Sequence, residues 1–360
     1  MALTTVRPQG MGFVTGRRNL IINGAMQVAQ RGTSETSVTT AGYRNACDRF
    51  RCGGNNGTWT ISQDTDAPDG FSNSFKMLLT ATETISSASY WSVEQRIEGQ
   101  NLQGLAYGTS SAKTVTVSFY VKSNVTGTYC LNLYQDDGNQ NFPKTYTIDS
   151  ANTWERKTIS FVGDTANALD NDNVRSLRTV FHVVAGSGYN SGTPGTRVAY
   201  TDATFAAGQS AQIDAVNDYW QITGLQLEVG ENASDFEHRS FGEELALCQR
   251  YYEHSYPYGT AAGAANGGVG AMHLHAGASR PSGYGLVTTR YTVQKRAAAT
   301  VTVYSYGGTS GQMSNGDSGA NIGAVDVIQN GATSFLVRNN SGGTFSDQPI
   351  IFHYRGDAEL

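Results

Sequence analysis

Short runs that alternate strictly between apolar and polar residues recur from residue 20 to residue 239, and this period of two most constrains the fold. In "KTVTVSFYVK", Val115, Val117, Phe119 and Val121 fall on one side and Thr116, Ser118 and Tyr120 on the other, the pattern of a strand with one buried face. "SFKMLLTA" groups Phe75, Met77 and Leu79, and "WSVEQRIEG" sets Trp91, Val93 and Ile97 against Glu94, Arg96 and Glu98. "TYCLNLYQ", "WERKTISFVG" and "RTVFHVVAG" continue the series, with clusters of Gly, Asn, Asp and Pro between the runs. This spacing predicts an antiparallel β-sandwich. In "DYWQITGLQLEVG" the alternation breaks between Ile222 and Leu225, so Gly224 is expected to carry a bulge that restores the buried face.

One stretch cannot be a strand. In "RSFGEELALCQRYYE", Ser240 followed by Glu243 makes a capping box. Phe241, Leu245, Cys248 and Tyr252 then recur at helical spacing, and Leu247 and Tyr251 form a second apolar flank. Two flanks ask for two packing partners, so the helix is expected to be wedged between two β domains or between subunits. Beyond Pro257 a segment rich in Gly and Ala reads as loops. Strands return in "LVTTRYTVQKR", "ATVTVYSY", "GAVDVIQNGATSFLVRN" and "PIIFHYRGDAEL", with Asn330-Gly331 marking a turn. The expected organisation is all-β: an irregular arm over 1–19, a sandwich over 20–239, a junction helix over 240–256 and a smaller C-terminal β domain over 257–360.

Composition narrows the function. Charged residues make up only 15% of the chain, against roughly 25% in an ordinary globular protein. The polar positions are mostly Ser, Thr, Asn and Gln, as on a turn-rich β surface. The formal net charge is -5 and no basic block rises above it, so nucleic acid is not an expected partner. No apolar stretch is long enough for membrane insertion. The first residues lack the apolar core of a secretion signal, so Cys47, Cys52, Cys130 and Cys248 are expected as buried thiols. No Gly-x-Ser-x-Gly elbow, phosphate loop or Cys with an identifiable His base occurs, and no pair of acids is singled out for glycoside hydrolysis, including the neighbours Asp136/Asp137 and Asp170/Asp172. The chain is therefore read as non-enzymatic.

"NLIINGAMQVAQRGTS" with "CDRF" downstream, "GLQLEVGENASDFEHRSFGEELALCQRYYE", "YTVQKRAAATVTVYS" and the terminal "FHYRGDAEL" resemble stretches of tail-fibre and other virion-fibre proteins of bacteriophages. The resemblance implies a homotrimeric appendage of the virion, made in the host cytoplasm. Its sandwich would be a jelly roll similar to carbohydrate-binding domains, and its distal domain would meet a host-surface glycan or protein. Other virion proteins would hold the N-terminal arm, with Arg7, Pro8 and Phe13 as anchor residues. Three copies of the helix would pack about a three-fold axis through Phe241, Leu245, Leu247, Cys248, Tyr251 and Tyr252. A head fibre or capsid decoration protein is the alternative, and a surface-polysaccharide depolymerase a further one.

Sugar recognition needs flat apolar faces for the rings, and amides or carboxylates for the hydroxyls. "LYQDDGNQNFPK" offers Tyr134, Asp136, Asp137, Asn139 and Gln140. "AGSGYNSGTPGTRVAY" offers Tyr189 and Tyr200, and "YSYGGTSGQMSN" offers Tyr304, Tyr306, Gln312 and Asn315. No cofactor is expected. Two structural cation sites are weighed as alternatives. His273 and His275 face the same way on a strand, so a trimer would bring six imidazoles to one axis. "DTDAPDG" at 64–70 has the oxygen richness of a Ca2+ loop without the EF-hand spacing. His182, between Phe181 and Val183, is expected to be a hydrogen-bonded core residue.

Overall fold

The computed structural model describes residues 17–276, 285–342 and 348–360; the anchor residues Arg7, Pro8 and Phe13 lie outside them. The chain forms two compact units, Met1–Gln27 with Glu35–Arg44 and Phe50–Arg239, and Val28–Ser34 with Asn45–Arg49 and Ser240–Leu360.

The first unit is an antiparallel sandwich. A 6-stranded sheet runs in the order Ser34–Val38, Thr58–Asp64, Ser74–Ala81, Tyr219–Val229, Val115–Ser123, Glu155–Phe161. An 8-stranded sheet runs Val198–Ala199, Gln140–Asn141, Gly127–Gln135, Arg175–Ala185, Tyr90–Glu98, Arg51–Gly54, Gly42–Tyr43, with Pro143–Ile148 also pairing with Gly127–Gln135. The inward residues of the alternating runs meet between the sheets. Trp59 and Trp91 stack with ring centroids 5.2 Å apart, and Phe119 meets Phe181 edge-on at 5.0 Å. All four rings are fully buried, and such aromatic pairs add about 0.5–1.5 kcal/mol to what burial alone supplies.

Gly224 behaves as the broken alternation requires. The register of Tyr219–Val229 on Val115–Ser123 shifts between Thr223 and Gln226. Gly224 has φ 60°, and a Cβ there would lie 2.7 Å from the Phe71 ring. Both the left-handed backbone and the close approach demand glycine.

In the second unit the long terminal strand Gln348–Asp357 pairs with Tyr252–His254, Gln312–Asn315, Met272–Ala276 and Thr300–Tyr304. Phe335, Val337, Ile350 and Phe352 are at the centre of its core. The strands Asn321–Ile328 and Ser334–Asn339 pair on either side of Asn330-Gly331, as expected of that turn.

The helix spans Phe241–Gln249 with the expected capping box: Ser240 Oγ accepts from the Glu243 N–H, and the Glu243 carboxylate accepts from the Ser240 N–H at 3.0 Å. It is shorter than the segment 240–256, because Tyr252 already opens a strand. Its packing also corrects the expected oligomer surface. Glu244 and Cys248 form the buried face, and Cys248, Tyr251 and Tyr252 are each at most 2% exposed within this one chain. They are core residues with nothing left to offer a neighbouring copy. Leu245 and Leu247 are half-buried and Phe241 is exposed, its ring edge-on to Tyr258.

Tyr251 and Tyr252 are buried because cations cover them. The Arg49 guanidinium lies 3.4 Å from the Tyr251 ring centroid and that of Arg31 lies 3.7 Å from Tyr252. Both arginines pair with Glu359, and Arg31 also reaches Asp48 at 3.5 Å. Gln30 Nε2 donates to Asp48 at 2.6 Å and to the Tyr252 carbonyl at 2.9 Å. This explains why 28–34 and 45–49, expected in the sandwich, belong to the second unit. Glu359→Gln leaves two buried guanidiniums short of their shared anion. The expected cost is about 3–5 kcal/mol in the unfolding of this unit, read by urea denaturation.

Candidate functional site

The site lies on the outward face of the 8-stranded sheet. Registers fix which side chains share that face. Arg51 is opposite Glu94, Glu94 opposite Val180, and Val180 opposite Asn132. The next rows are Gly53, Ser92 and His182, and Arg96, Arg178 and Tyr134. An open sheet face would leave these polar residues wet. Here residues 186–213 fold back across part of it. Asn132 Nδ2 donates to the Phe205 carbonyl at 3.0 Å and Gln209 Oε1 accepts from the Cys130 N–H at 3.1 Å. The two short helices of this segment, Ser187–Asn190 and Asp202–Phe205, are joined by the Ala206 N–H donating to the Tyr189 carbonyl at 2.9 Å.

The result is a cleft of about 280 Å³. Tyr90, Tyr134, Tyr189, Tyr200 and Phe205 line its sides, and Arg51, Gly53, Ser92, Glu94 and Arg178 its floor. The rings brace one another. Tyr90 packs on Tyr189 at 5.1 Å, and Tyr134 meets Tyr200 edge-on at 5.6 Å. Tyr134 is oriented from both ends: its hydroxyl donates to Asn139 Oδ1 at 2.5 Å, and the Arg178 guanidinium lies 4.1 Å from its ring centroid. Tyr200 is held by its hydroxyl on Asp202 at 2.8 Å and its N–H on the Asn139 carbonyl at 2.9 Å. Gly53 has φ 155°, and a Cβ there would collide with Ala41 at 2.1 Å.

Glu94 organises the floor. Its Oε1 accepts from Arg51 at 3.2 Å and Arg96 Nε at 2.8 Å, and its Oε2 from Arg178 at 3.2 Å. Burial alone would raise its pKa, but Arg178, Arg96 and Arg51 outweigh that and hold it below the usual carboxylate value. Arg178 continues to Asp136, which it shares with Arg175, both at 2.9 Å. Burial pushes Asp136 above its ordinary value in spite of both arginines.

The structure sorts the expected binding residues. Tyr134, Tyr189 and Tyr200 come together in the cleft although they lie far apart in sequence. Asp136 and Asn139 stand behind it as positioning residues. Asp137 accepts the Asp170 N–H at 2.9 Å and so ties its loop to the one around 170, while Gln140 donates to the Gly138 carbonyl at 2.9 Å and braces its own loop. Tyr304 is a correction: it is buried in the second unit, edge-on to Tyr256, with no face for a ligand. Tyr306 is exposed beside Gly267 and Gly319, and Asn315 closes its own turn on Asp317 and Ser318. Tyr90, Ser92, Arg51, Glu94, Arg178 and Phe205 were not among the expected residues.

Neither cation site gains support. His273 and His275 share an exposed face of Met272–Ala276 as expected, but among the described residues no group of three or more His, Cys, Asp or Glu is arranged to hold a metal. In the 64–70 loop two of the three carboxylates face cations already: Asp64 pairs with Lys76 at 2.9 Å and Asp66 with Lys122 at 2.7 Å. A second cavity, about 270 Å³, lies on the outward face of the other sheet among Phe71, Tyr120, Arg156, Phe236 and His238.

No known protein family matches the chain, and no curated protein matches it. Among solved structures it is similar to the enzymatically active domain of tailspike protein 4 of bacteriophage CBA120 (12% identity, 59% of this chain, TM-score 0.33). The chain spans 22% of that chain's length. It is also similar to a putative sugar binding protein from Bacteroides thetaiotaomicron (11% identity, 59% of this chain and 100% of that one, TM-score 0.32). A third is a family 11 carbohydrate-binding module from Clostridium thermocellum in complex with a mixed-linked tetrasaccharide (11% identity, 57% and 99%, TM-score 0.28). At these scores the sandwich assignment rests on the strand registers, not on the likenesses.

His182, expected as a core residue, is fully buried with its ring 4.6 Å from Phe205. Burial pushes its pKa down to about 3. The unfolded chain therefore takes up a proton below about pH 6.5 that the folded one refuses. Stability of the sandwich is expected to fall as pH drops from 6.5 toward 3, by up to about 1.4 kcal/mol per pH unit from this group. Denaturation of His182→Gln across that range should show a correspondingly smaller slope.

Proposed function

We propose that this chain is a non-enzymatic subunit of a bacteriophage virion fibre, a tail fibre that attaches to host-surface glycan through the cleft on its 8-stranded sheet. The observation that carries the binding reading is the meeting of Tyr90, Tyr189 and Tyr200, all half-buried, over a floor of hydrogen-bonding groups. A sugar ring presents an apolar face and a rim of hydroxyls, and a cleft with aromatic walls and fixed polar groups matches both. The strand and loop scaffold holds these groups before a ligand arrives, which lowers the entropy cost of binding.

A binding role without hydrolysis fits the acids present. Hydrolysis calls for two carboxyl groups about 5–9.5 Å apart across the bond to be cut, one of them protonated. Glu94 is the carboxylate among the cleft-lining residues, and three arginines keep it ionised and occupied. The virion assignment rests on the sequence resemblance to phage fibres. A homotrimer would multiply a weak single-site affinity through valency, and the exposed ring of Phe241 with half-buried Leu245 and Leu247 is the part of the expected interface still available.

Two measurements test this. On an oligosaccharide panel, Tyr189→Ala should weaken binding at least tenfold, and Tyr304→Ala should leave the affinity unchanged. Loss of affinity in neither variant places the ligand elsewhere. Sedimentation equilibrium should give three chains per particle, dissociating in Leu245→Asp; a stable monomer at micromolar concentration rejects the fibre architecture.

A further inference from the structure

The cleft discriminates by charge as well as by shape, and this follows from which of its polar atoms are already in use. Its one lining carboxylate is already engaged. Glu94 takes hydrogen bonds from three guanidiniums on its two oxygens. Asp136, behind the floor, takes one on each oxygen from Arg175 and Arg178. Asp202, beyond the lining, accepts the Tyr200 hydroxyl, and the Tyr134 hydroxyl is donated to Asn139.

The donors are not spent. Arg51 uses one nitrogen, for Glu94, and its side chain is 30% exposed. Arg178 uses Nε for Asp136 and one terminal nitrogen for Glu94, and it also engages Tyr134, so the freer donors are those of Arg51. An arginine fork offers five N–H groups in a plane, a match for a carboxylate. The cleft lining carries two guanidiniums against one carboxylate, in a chain whose formal net charge is -5. A neutral sugar that enters must supply hydroxyl oxygens to these cations, and the lining carboxylate is not available to its protons. A sugar with a carboxylate supplies charged acceptors where charged donors wait, and charge-assisted hydrogen bonds are roughly twice as strong as neutral ones.

We infer that the ligand of this cleft is an acidic glycan, a saccharide that carries carboxylate groups, recognised by Arg51 and Arg178 beneath the tyrosine walls. The inference rests on the glycan-binding reading of the cleft and specifies its ligand class. Arg51, the more exposed of the two, makes the ligand contact. Arg178 also fixes Tyr134 and Asp136, so it couples the charge of the ligand to the shape of the wall.

The experiment titrates the full chain with oligogalacturonate, oligosialate and hyaluronan oligosaccharides, each beside its methyl-esterified or carboxyl-reduced form, by calorimetry. At least one acid should bind ten or more times tighter than its neutral form. That acid's affinity should fall severalfold between 0.05 and 0.5 M salt while the neutral form's does not. Arg51→Gln, whose folding is checked by its melting curve, should erase the preference and retain the residual affinity for the neutral form. Neutral forms that bind as tightly as the acids overturn the inference and leave the glycan reading standing. A folded wild-type chain that binds no member of either series overturns both.

Discussion

Three guanidiniums on one buried carboxylate hold the outward face of the 8-stranded sheet together. Glu94 sits at the middle of the 8-stranded sheet, where Arg51 and Arg178 come from strands on either side and Arg96 from its own. A carboxylate here without cations would be protonated or expelled, and three arginines here without an anion would repel one another. Together they tie adjacent strands across the sheet and extend through Arg178 to Asp136 and to the face of Tyr134. The aromatic walls are therefore mounted on an electrostatic frame. A polar network of this kind is held in place only while every member is satisfied.

Much of the frame was legible in the amino-acid order and little of the site. Inward residues such as Val117, Phe119 and Trp91 announce themselves by alternation, because burying one face of a strand is a local requirement. The capping box at Ser240 and Glu243 and the bulge at Gly224 are equally local. The cleft is not. It needs Arg51, Tyr90, Glu94, Tyr134, Arg178 and Tyr189 from five separate segments, and pairing registers that no single window contains. One signal was present: in "YWSVEQRIE" the outward positions of a strand flanked by aromatics carry both signs of charge, unusual for a face left to solvent.

The helix shows how helical spacing alone misassigns buried residues to a subunit surface. Its apolar residues do recur at the right spacing, but Glu244 shares the buried face with Cys248, and Tyr251 and Tyr252 are covered by Arg49 and Arg31. Both arginines arrive from far earlier in the chain and meet Glu359 two residues from its last described strand. The quoted stretches "AQRG", "CDRF", "QRYYE" and "GDAEL" thus converge on one ion cluster. Sequence inspection could recognise the stretches but had no means of seeing that they touch.

The segment 186–213 has a consequence for how such a protein can change. It contributes Tyr189, Tyr200 and Phe205 to the cleft but only the two-residue strand Val198–Ala199, at the margin of the sheet, to the framework. Rewriting it would exchange one wall of the recess and spare the interior rings that keep the two sheets together. One wall of the cleft is in this sense an exchangeable cassette, free to drift in shape while Glu94 and its arginines keep the chassis unchanged.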